Sequence, residues 1–120
     1  MQSTLQKNID TVTNTVNTLN ANIYANLAPN YSAGVSVSSG YKATKNGWIY
    51  YYVESSANNT TAILIDNKKV AYNYQGAGDQ RAGTLKIGGM VYIAKNQTLT
   101  VSVTGSPSNT FTFYPCKGGN

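Results

Sequence analysis

Apolar residues open the chain at Leu5, Ile9, Val12, Val16, Leu19 and Ile23, in alternating steps of four and three. That spacing averages 3.5 residues and predicts a helix with one narrow apolar seam, Ile9, Val16 and Ile23 at heptad position a and Leu5, Val12 and Leu19 at d. Around the seam stand mostly Asn and Thr, including Gln6, Thr13 and Asn20 at e and Asn8, Thr15 and Asn22 at g. Such residues are poor helix formers, and the flanks offer no ion pairs to select a foreign partner. The seam therefore asks for copies of itself. Its β-branched a positions and mixed Leu/Val d positions lean toward three strands, so the expectation is a parallel homotrimer. At about 1.5 Å per residue the seam is roughly 28 Å long, too short to hold without help from the β domain.

The helical period fades after Ile23, and "YANLAPNYSAG" brings Pro29 and a set of turn formers. The expected division is a coiled-coil trimerisation helix over 1–27 and a β domain over 28–120. From there the pattern switches to short alternating runs: "GVSVSS", "WIYYYVES", "TAILID", "VAYNY", "TLKI", "MVYIA", "LTVSV" and "FTFYP". Tight hairpins are predicted at "IDNKKV", with Asp66 and Asn67 in the turn, and at "AKNQTL". Eight short strands without intervening helices indicate an all-β sandwich or jelly roll. In "WIYYYVE", Trp48, Tyr50 and Tyr52 share one face while Ile49, Tyr51 and Val53 share the other. Large side chains on both faces predict either a central strand or a second face packed on another subunit, and the helix favours the subunit.

Composition agrees: 10 Tyr and 11 Gly in 120 residues, with abundant Thr, Ser and Asn, suit twisted sheets joined by turns. The net charge is +5, and Lys7 and Asp10 are the charges of residues 1–30, so the excess belongs to the β domain. Its lysines are scattered and no more than two cations adjoin, which argues against nucleic acid and leaves attraction to an anionic cell surface open. The single Cys116 rules out an internal disulfide. Polar residues follow Met1 and no run nears ~18 apolar residues, so neither a signal peptide nor membrane insertion is expected.

Enzyme chemistry has little to work with. The chain lacks histidine, which removes Ser-His-Asp and Cys-His pairs and the commonest transition-metal ligand. Glu54, Asp66 and Asp79 are the carboxylates of the β domain, and the placement of Asp66 in a turn and Asp79 in a Gly-rich loop speaks against a glycosidase pair. No catalytic residue, metal or cofactor is expected. "GAGDQRAG" matches no phosphate-binding loop and reads as a surface loop in which Asp79, Gln80 and Arg81 could contact a ligand. Tyr72 and Tyr74 alternate onto one face, where they either pack or stack on sugar rings. Cys116 reads as a small buried thiol.

Four stretches, "APNYSAGVSV", "NGWIYYYV", "GDQRAGTL" and "FTFYPCKGG", taken in this order, resemble the C-terminal head domains of bacteriophage fibre proteins, over residues 28–120. The resemblance implies a trimer of jelly rolls similar in architecture to those of tumour necrosis factor and complement. It also implies a virion location after synthesis in the host cytoplasm, the remainder of a fibre N-terminal to the coil, and noncatalytic attachment to a bacterial surface glycan or other receptor. The alternative from another class is a structural trimerisation cap without receptor binding. Within the attachment reading, the segment from Asn73 to Gly83 is the expected contact because it lies on a loop far from the coil; the Lys42 to Lys45 turn comes next.

Overall fold

The computed structural model describes residues 2–55, 58–75 and 85–118. A single long helix, α1 (Thr4–Leu27), precedes seven strands: β1 (Val35–Val37), β2 (Gly47–Ser55), β3 (Asn59–Ile65), β4 (Lys68–Gln75), β5 (Leu85–Ile93), β6 (Leu99–Thr104) and β7 (Ser108–Pro115). Ser3 caps α1, its hydroxyl accepting the Gln6 N–H at 3.1 Å. The hydroxyls of Thr11, Thr15 and Thr18 each donate to the carbonyl four residues earlier at 3.0 Å, which satisfies these hydroxyls within the helix without strengthening it.

All strand pairs are antiparallel, in a four-stranded sheet of order β1-β7-β2-β5 and a three-stranded sheet of order β4-β3-β6. The sheets face each other across one core built from Ile49, Ile93, Phe111 and Phe113 on one side and Ile63, Ile65 and Leu99 on the other, with Ala43. Burial near 25 cal/mol per Å² of apolar area makes this core the main stabilising term of the β domain.

Two expectations about strand boundaries need correction. "TLKI" and "MVYIA" are not separate strands: β5 runs unbroken through Gly88 and Gly89, which pair with Tyr52 and Tyr51 of β2. A Cβ on Gly89 would stand 2.6 Å from the Tyr51 hydroxyl oxygen, so glycine is there to admit a ring. "AKNQTL" does turn the chain, with Asn96 at φ 75° and the Gln97 N–H donating to the Ala94 carbonyl at 3.0 Å. It is no hairpin, because β5 and β6 belong to different sheets. The Asp66–Asn67 turn does join a hairpin, β3 to β4; both residues have positive φ, 48° and 65°, as a type I′ turn requires.

The strand registers give the β domain a near and a far end. Gly47 pairs with Ile93 and Pro115, close to the helix, whereas Ser55 pairs with Leu85 and Asn59 with Gln75 at the opposite end. At the near end, the last turn of α1 is clamped. Trp48 Nε1 donates to the Leu27 carbonyl at 2.7 Å, Lys117 N to Ala28 O at 2.9 Å, Gly118 N to Asn26 O at 2.9 Å, and Asn30 N to Pro115 O at 2.8 Å. Carbonyls that a helix C-terminus leaves without intrahelical partners are thus met by the end of the chain and by one indole.

Candidate functional site

The first surface is the helix itself. No residue of α1 is buried, and the six predicted seam residues, Leu5, Ile9, Val12, Val16, Leu19 and Ile23, are 47–69% exposed. At 100° per residue these six, together with Leu27, fall within an arc of about 80°. Sequence spacing missed Leu27, which continues the stripe one turn further and leads it to the β domain. There Ile23, Asn26, Leu27, Asn46, Cys116 and Gly118 line an open hollow of about 210 Å³. Burial pushes the Cys116 thiol above its ordinary pKa, and hydrogen bonding from Trp48 offsets part of that.

The second surface is the outer face of the four-stranded sheet. Register places Trp48, Tyr92 and Tyr114 in one row, Tyr50, Met90 and Thr112 in the next, and Tyr52, Gly88 and Thr110 beyond. The rings of Trp48 and Tyr92 meet edge to face at 5.5 Å, and Tyr31 packs on Tyr114 at 5.2 Å. Tyr52 donates its hydroxyl proton to Glu54 Oε1 at 2.9 Å; that hydrogen bond, with the carboxylate's charge and some desolvation, holds the Tyr52 pKa above its usual value.

The third surface is the outer face of the three-stranded sheet, and it carries two of the predicted ligand residues. Tyr72 and Tyr74 stand there, 53% and 62% exposed. Between them Asn73 points inward, buried, and donates to Ser55 Oγ at 3.1 Å. Cross-strand from Tyr74 lie Thr60 and Thr104, whose hydroxyl oxygens are 2.6 Å apart, and cross-strand from Tyr72 lie Ala62 and Ser102. A bulge between Ile63 and Leu64 in the pairing turns Lys69 onto this face, with its Nζ 4.4 Å from the centre of the Tyr72 ring. Sequence reasoning missed Lys69, because strict alternation does not anticipate a bulge.

Asp79, Gln80 and Arg81 lie outside the described residues; the strands flanking their segment end at Gln75 and Leu85, at the far end of the domain. Among the described residues, no three His, Cys, Asp or Glu side chains gather as a metal would need, and no helix is long and apolar enough to cross a membrane. Compared with protein-family models, curated proteins and solved structures, the chain matches none.

Proposed function

We propose that this chain is a noncatalytic, homotrimeric attachment module, the head of a bacteriophage fibre, in which α1 ends the shaft and the β domain binds the bacterial surface. One observation carries the reading: a 24-residue helix that buries none of its residues yet presents a continuous apolar stripe at coiled-coil spacing. An isolated helix of that composition is marginal in water, whereas three copies meeting along the stripe bury it.

In the trimer, the jelly-roll β domains sit at the C-terminal end of the coil. The Trp48, Tyr50, Tyr52, Tyr92 and Tyr114 face lies against the neighbouring copies, continuing the stripe past Leu27. The opposite sheet is then left outward, free to meet a cell. Three weak contacts on one rigid body give avid attachment.

The test compares binding of the purified protein to susceptible cells and to receptor-deficient mutants, alongside its trimer content. Selective binding by the intact trimer supports the attachment reading. A stable trimer that binds neither cell type makes the chain a trimerisation cap instead.

A further inference from the structure

Among the described residues, charge on the β domain is uneven. Lys42 pairs with Thr98, Lys68 with Ile65 and Lys69 with Leu64, all at the helix-proximal end of the three-stranded sheet. One carboxylate, Asp66, shares that end, and its Oδ1 accepts the Thr98 N–H at 2.8 Å. Lys69, opposite Leu64, is on the outer face, whereas Lys68 stands opposite the inward Ile65; further along the outer face come Tyr72, Tyr74, and the hydroxyls of Thr60 and Thr104. No acidic side chain from β3, β4 or β6 stands among them.

We propose that this outer face binds an anionic polysaccharide. Sugar rings stack on Tyr72 and Tyr74, ring hydroxyls bond to Thr60 and Thr104, and the polymer's carboxylate or phosphate groups meet Lys69, with Lys42 beyond. The proposal rests on the attachment reading and specifies the class of receptor. Chemistry favours it over a neutral glycan and over a protein. A row of exposed aromatic rings beside hydroxyls matches the alternating apolar and polar faces of pyranose rings, and Tyr rings lose little conformational freedom on binding. An ammonium on the Tyr72 ring still has donors to offer, since Lys carries three. The ring contact also holds Lys69 in place, so less entropy is lost when an anion arrives. Pairing of positive face with negative polymer adds attraction that salt weakens.

The experiment uses the full chain as purified. It measures retention on an immobilised uronic-acid polysaccharide, a phosphodiester-linked polysaccharide and a neutral glucan of similar length, with binding to susceptible cells in parallel. The expected result is binding to at least one anionic polymer, the two arms telling carboxylate from phosphate, and little to the glucan. That binding falls about tenfold or more as salt rises from roughly 0.05 to 0.5 M. Tyr72→Ala, Tyr74→Ala and Lys69→Gln each weaken it by roughly threefold to tenfold, the scale of one exposed contact, with melting temperature and trimer content unchanged. Lys86→Gln, opposite Glu54 on the other sheet, leaves it intact.

Equal losses from Lys86→Gln and Lys69→Gln with none from the tyrosine changes would overturn the proposal, reducing the interaction to unspecific charge. So would equal binding to the glucan. If cells bind but neither anionic polymer does, this inference fails and the attachment reading stands; if cells do not bind either, both fail.

Discussion

Gly47 and Gly89 show how single positions decide the packing of β2. Each is a place where a methyl group would run into an aromatic side chain, but the neighbours differ in how far they can give way. A Cβ on Gly47 would strike the Tyr114 backbone carbonyl as well as the Phe113 ring, whereas one on Gly89 meets the far end of Tyr51, a side chain that can swing. Gly47→Ala should therefore cost about 1–3 kcal/mol and Gly89→Ala less, measured as shifts in denaturation midpoint. Tyr52 makes a prediction about pH. Its folded pKa is raised by the bond to Glu54, so the stabilisation it brings is complete below the ordinary tyrosine value near 10 and is lost as pH climbs through the folded value. Chemical denaturation at pH 8 and pH 11 checks this: wild type should exceed Tyr52→Phe at the lower pH, with the gap closing at the higher. The two residues that sequence reasoning could not find, Leu27 and Lys69, share a cause. Each sits where a regular period changes, the first at the end of a heptad pattern that a straight helix overruns, the second beside a bulge that resets strand alternation.

At the level of elements, the helix was legible because its apolar spacing dominates a background of Asn and Thr, and the hairpin at Asp66–Asn67 because few residues accept two successive positive φ angles. β5 reads as two runs because Gly88–Gly89 interrupts its apolar pattern, although their partners across the ladder are tyrosines. Whether a turn links strands within one sheet or between two is a tertiary matter, which explains why "AKNQTL" looked like a hairpin. The contact between α1 and the end of β7 was also out of reach, since it joins residues about ninety positions apart through backbone groups that carry no sequence signal. Trp48→Phe tests that junction: without the indole N–H bonded to Leu27 O, the protein should lose about 1–2 kcal/mol. Val16→Asp tests the seam. In the proposed trimer it would place three unpaired carboxylates at a buried axis, weakening assembly at neutral pH and permitting recovery once acid protonates them. Thermal melting at pH 7 and pH 4 reads both effects.

On the scale of the whole molecule, a single copy is elongated. It measures 78 × 26 × 25 Å with a radius of gyration of 20.8 Å, against roughly 14 Å for a compact domain of this length. The difference is a helix that stands away from the β domain with its apolar stripe in water. The proposed trimer removes that cost, brings three aromatic sheet faces together and leaves three basic, tyrosine-bearing faces outward. Avid attachment depends on this assembly. Sedimentation equilibrium at micromolar concentration tests it most directly: a single species of about three times 12.9 kDa is expected, which Val16→Asp should dissociate. A wild-type protein that sediments at 12.9 kDa, its seam free in solution, would contradict it.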